Sequence, residues 1–176
     1  MVLDVNAPGL PSHGATFHTD RTRSLWVPAG PAWLPLVGSP DYGLRNSFYG
    51  AFAFDKDAVE VIAAAFALPH DYVSGLALQL IWTNLGAGSG NVLWRVGLNN
   101  QGDGGTITGL SVTDSTAAAP AQNVWKYTTS GASLPNSPVP GQHVMVSCGR
   151  LATDAGDTLA NDAGFLGYLV TYTADM

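Results

Sequence analysis

The sequence predicts an all-β protein: an antiparallel β-sandwich of jelly-roll type, with about eight strands and an extended N-terminal arm. Three observations carry that expectation. Segments 75–84 (GLALQLIWTN) and 90–100 (GNVLWRVGLNN) place Leu76, Leu78, Leu80, Trp82 and Val92, Trp94, Val96, Leu98 on every second residue, the period of a pleated strand. The composition holds 21 glycines and 11 prolines, and twelve aspartates stand against one glutamate and two lysines. Aspartate serves turns, whereas lysine and glutamate serve exposed helix faces. The third observation is the turn-rich links NNQGDGG, SLPNSPVPG and TDAGDTLANDAG between apolar runs.

Residues 1–47 form the predicted arm, and they hold six of the eleven prolines. Proline at that density breaks helices and blocks central strands. The same stretch carries Phe17, Leu25, Trp26, Val27, Trp33, Leu34, Leu36 and Val37. Disordered segments are poor in such residues, so the arm is expected to lie extended and bury its rings, on its own domain or on a neighbouring subunit. Residues 48–176 form the sandwich. Strands are expected at 50–54, 59–68, 75–84, 90–100, 105–113, 123–129, 143–151 and 164–173. The second of these is contested, because Ala63, Ala64 and Ala65 favour helix, and strand is chosen for want of other helices. The two Trp-bearing segments, linked by LGAGSG, are expected to pair as a hairpin.

At 176 residues the chain has room for one domain with a sizeable core. Net charge is −6, and the seven basic residues are scattered, which argues against nucleic acid and against an anionic membrane surface. Only 11% of residues are charged, against about 25% in an ordinary soluble domain, a composition suited to a packed assembly. Neither a signal-peptide pattern nor an apolar run approaching ~18 residues is present. Cys148 lies in phase with Val144 and Val146 and is expected to be a small buried hydrophobe, with no disulfide.

No cofactor is expected. His13, His18, His70 and His143 fall outside metal-ligand spacings. The stretch 153–164 gathers Asp154, Asp157, Asn161 and Asp162, but it misses the EF-hand spacing; turn-making is the preferred role, with calcium left open. GAGSG precedes a strand and not a helix, unlike a phosphate-cradling loop. No G-x-S-x-G elbow occurs. Trp125 and Tyr127 alternate in NVWKYTT and are the expected exposed pair for a ligand or partner.

The run L-P-H-D-Y-V-S-G-L-A-L-Q-L-I-W at 68–82, then G-N-V-L-W-R-V, then G-R-L-A-T-D-A-G-D-T-L-A-N-D-A-G-F-L-G-Y-L-V-T-Y, resembles a β-sandwich domain of virion structural proteins of tailed bacteriophages. The similarity spans 52–173. It implies a structural, non-enzymatic role without cofactor, in the virion. The expected role is capsid decoration, as a homo-oligomer (a trimer) bound to the major capsid protein or other virion subunits. Phe17, Trp26, Trp33, Leu34 and Leu36 are the expected adhesive contacts. The alternative is a receptor-binding or fibre-tip domain that recognises host glycans through Trp125 and Tyr127.

Overall fold

The computed structural model describes residues 21–45, 49–101, 109–135 and 138–175. These contain eleven strands: β1 Arg21–Pro28, β2 Leu34–Val37, β3 Asp41–Arg45, β4 Tyr49–Phe54, β5 Val59–Ala67, β6 Tyr72–Asn84, β7 Asn91–Gln101, β8 Ser111–Ala118, β9 Trp125–Thr129, β10 His143–Leu151 and β11 Ala163–Ala174. They form two antiparallel sheets, ordered β3-β4-β11-β6-β9 and β2-β5-β10-β7-β8, with β1 also paired to β11. From β4 to β11 the chain changes sheet at every connection except β7–β8. That is the eight-stranded jelly roll.

Residues 21–45 are not an arm. They supply β1 and β3 to one sheet and β2 to the other, three strands beyond the predicted eight. β11 explains how this happens. Its Ala163–Phe165 end pairs with β4, while Gly167–Ala174 lies free on the same side and takes the whole of β1. Gly167 sits at the hand-over with φ of 143°, and a side chain there would strike the Val27 carbonyl and the Trp26 ring. Proline is tolerated because Pro28 ends β1 and Pro35 lies on an edge strand. Phe17 lies outside the described residues.

The expected hairpin is also overturned. β6 pairs with β11 and β9, and β7 pairs with β10 and β8, so the two Trp strands belong to opposite walls. Their link turns the corner between sheets. Asn84 holds that corner: its Nδ2 donates to the Gly88 carbonyl at 2.7 Å and its Oδ1 accepts from the Gly86 N–H at 3.1 Å. Alternation locates the apolar face of each strand, but two strands joined by a short loop satisfy it equally by pairing or by facing each other. Here they face, and the Trp82 and Trp94 rings meet edge-on with centroids 5.4 Å apart.

β5 is a strand despite its alanines, because its N–H and C=O groups are taken up by β10 along the full register from Val59 to Ala67. Pairing overrides local helix preference. The strand expected at 105–113 is seen as β8, which begins at Ser111; residues 102–108 lie outside the described set. Trp33, expected as an adhesive contact, is instead 5% exposed. It packs edge-on against Phe165 at 5.1 Å, and its Nε1 donates to the Pro28 carbonyl at 2.9 Å. A ring with an N–H to satisfy is cheapest to bury where a free carbonyl lies nearby.

A charged side chain also penetrates this core. Arg150 is fully buried at the end of β10. Its Nε and Nη2 grip Asp157 at 2.9 and 2.8 Å; Nη2 also donates to the Leu159 carbonyl, and Nη1 to the Asn161 and Phe54 carbonyls. All five N–H donors of the guanidinium are thus used. Removing one member of a buried pair strands the other's charge. Arg150→Met is expected to cost about 3–5 kcal/mol in urea unfolding. Arg150→Met with Asp157→Leu should regain only part, since three carbonyls lose their donor. Equal stability of Arg150→Met and wild type would remove the network from its structural role.

Candidate functional site

The aromatic pair at 125 and 127 sits on β9, an edge strand that pairs only with β6. Alternate side chains of β9 go to opposite faces. Thr128 turns inward, where its Oγ1 accepts from Trp82 Nε1 at 2.9 Å. Lys126 reaches across to the Ala118 carbonyl of β8 at 2.6 Å. Trp125 and Tyr127 turn outward and are 51% and 53% exposed. Two residues along a strand set the rings about 7 Å apart.

This outer face has its own apolar floor. Ala51, Ile81 and Leu166 form a second buried cluster, flanked by Tyr49 and Leu169. Tyr49 stands edge-on to Trp125 with centroids 5.9 Å apart. Its hydroxyl is buried and has no hydrogen-bond partner, and burial raises its pKa, opposed by the nearby Arg45 charge. Tyr49, Trp125 and Tyr127 therefore form a shelf with two exposed rings and one embedded ring. Tyr49 was not singled out from sequence; its alternation with Ala51 and Ala53 was the available signal.

The remaining predicted contacts lie elsewhere. Trp26 is 44% exposed and packs over Gly167. Leu34 and Leu36 are 66% and 55% exposed on β2, at the opposite flank from β9. The structure thus separates the predicted residues into a sheet-face group and an edge group, with Trp33 in the core.

The acidic loop is a structural element. Asp157 is buried against Arg150 and also accepts the Leu93 N–H at 3.1 Å. Asp154 caps its own turn by accepting the Gly156 N–H, and Asp162 accepts the Lys56 N–H. Among the described residues no group of three or more His, Cys, Asp or Glu side chains is placed to hold a metal ion. Beside the loop lies an open cleft of about 270 Å³, lined by Lys56, Leu85, Gly86, Ala160, Asn161 and Asp162. Cys148 is buried, and burial pushes its thiol pKa well up, away from nucleophilic use. His70 and His143 are both exposed.

Among the described residues Glu60 is the one buried carboxylate without a cation bound to it. Its Oε2 accepts the Asp55 N–H at 2.7 Å, and it abuts Gly38, whose φ of 62° and missing Cβ leave it room. Burial raises its pKa, the Asp55 N–H opposes this, and the Asp55 charge adds to it. A folded-state value above the unfolded one gives stability that is complete below the ordinary carboxylate range and is lost as pH rises through the raised value. Wild type should therefore lose stability on going from mildly acid to neutral pH, and Glu60→Gln should flatten that slope in urea titrations. Identical slopes would remove Glu60 as the cause.

No family model and no curated protein sequence matches the chain. Among solved structures, a carbohydrate-binding module in complex with β-1,4-galactotriose aligns over 88% of both chains, at 13% identity and a TM-score of 0.38. That likeness is too loose to bear on function. Fold and surfaces together define a jelly-roll domain with an exposed aromatic face and an apolar edge.

Proposed function

We propose that this chain is a non-enzymatic structural subunit of a virion, of the decoration (cement) type, that works by adhesion. It assembles as a homo-oligomer, a trimer, and docks on the major capsid protein or other virion subunits. One observation carries the reading: among the described residues β2 is a bare edge strand whose Leu34, Leu36 and Val37 are 66%, 55% and 51% exposed. Sheet edges of soluble monomers are normally blunted by charge. A fully buried Leu or Val side chain is worth about 1.5–3 kcal/mol, so covering this strand rewards association. The phage-like sequence pattern supports the same reading, since its R…DTLANDA segment holds Arg150, Asp157, Leu159 and Asn161 of the buried network. Replacing Leu34 and Leu36 together by Glu should leave thermal unfolding unchanged while abolishing oligomers in sedimentation and occupancy on capsids. A wild-type chain that stays monomeric at high concentration and leaves capsids bare would defeat it.

A second reading rests on the shelf of Tyr49, Trp125 and Tyr127. Exposed rings on a flat sheet face stack on sugars, and the reading makes the chain a receptor-binding domain for host surface glycans. Trp125→Ala should then abolish retention on host polysaccharide without lowering stability. Retention equal to wild type would exclude this face.

A further inference from the structure

We propose that β3 is a self-complementary edge, at which two copies of this chain join antiparallel about Gly43. β3 reads Asp41-Tyr42-Gly43-Leu44-Arg45 and, among the described residues, pairs on one side only, with β4. An antiparallel partner of the same sequence, centred on Gly43, sets Asp41 opposite Arg45 and Tyr42 opposite Leu44, twice over by symmetry. Directly opposite residues share a face and interact. The charges therefore meet on one face and the apolar side chains on the other. A two-fold contact of this kind is self-complementary by construction.

The side chains are in a state to make these contacts. Tyr42 and Leu44 are 44% and 73% exposed, and only Tyr42 is supported from within, by the Phe52 ring at 4.9 Å. Among the described residues neither Asp41 nor Arg45 has an ion-pair partner. Arg45 bends back to the Asp41 carbonyl at 3.3 Å, and its Nε is buried without a hydrogen bond. A partner's Asp41 carboxylate meets the guanidinium charge from its solvent side. Among the described residues nothing stands within 4 Å of where a Gly43 Cβ would lie, so the face of the strand between Asp41 and Arg45 is uncrowded.

Five residues a side fall short of the ~1,200 Å² of a stable complex, so the contact is weak in isolation and gains from repetition on a lattice. Being two-fold, it cannot build a trimer; it joins one oligomer to the next. It is independent of the β2 contact, and its test is run in the Leu34→Glu, Leu36→Glu background for that reason.

The test is a charge swap followed by sedimentation velocity at low salt. The Asp41→Arg chain carries arginine at both ends of β3, and the Arg45→Asp chain carries aspartate at both. Each alone sets like charges opposite and should lose association by roughly tenfold. An equimolar mixture of the two should recover it as a mixed pair, as should the chain carrying both substitutions. Single variants that associate like the parent, a mixture that fails to recover, or a parent with no concentration-dependent pairing would each overturn the proposal. Recovery in the mixture also shows that both variants fold.

Discussion

The Arg150 guanidinium is the point through which this sandwich is tied. It stands on β10 in one sheet and donates to Phe54 at the end of β4 in the other. Through Asp157 it is joined to the Leu93 N–H of β7, and through Leu159 and Asn161 to the loop that leads into β11. A buried cation of this kind is tolerated only when every donor is used and its charge is met. That requirement is a geometric constraint: the 152–162 loop folds back over the sheet end and supplies four of the five acceptors. The cleft beside Asn161 and the Lys56 contact to Asp162 follow from the position that the loop is forced to take.

Around this network the two sheets are also held by aromatic rings. Trp94 receives Phe54 and Trp82 edge-on, while Phe165 receives Trp33. Tyr168 donates its hydroxyl across the gap to the Ser147 carbonyl at 2.9 Å. The flanks differ. At the β8–β9 side, Lys126 and Ser115 bond across between the sheets, to the Ala118 and Thr129 carbonyls. At the β2–β3 side the outermost strands carry exposed Leu34, Leu36, Val37, Tyr42 and Leu44. One flank is cross-linked between the sheets by these bonds; at the other, exposed apolar side chains lie on the edge strands themselves, which is why the adhesive proposals fall there.

Alternation made the strands from residue 49 onward legible, and with them the sandwich class. The shelf was half legible: Trp125 and Tyr127 stand in the right phase, but Tyr49 joins them only because β4 and β9 flank a common floor on Ile81 and Leu166. The N-terminal stretch was misjudged for a definite reason. Its prolines argue against central strands, and β1, β2 and β3 are strands that flank the jelly roll or cap its edge. Trp33 shows the same limit, since nothing local distinguishes a ring that meets Phe165 from one that meets solvent.

From residue 49 onward the amino-acid order by itself determined most of the strands and the apolar face of each, because side-chain alternation is a property of one strand alone. It also determined the acidic, turn-rich character of the links. Which strand lies beside which was decided by the tertiary structure. β6 and β7 are neighbours in sequence and lie in opposite walls, because the loop that joins them turns the corner between the sheets and each pairs elsewhere, with β11 and β10. Arg150 is the clearest case. In sequence it is an ordinary arginine near the end of a strand; its burial is permitted only by five acceptors, four of them from residues on the loop it closes and one from β4.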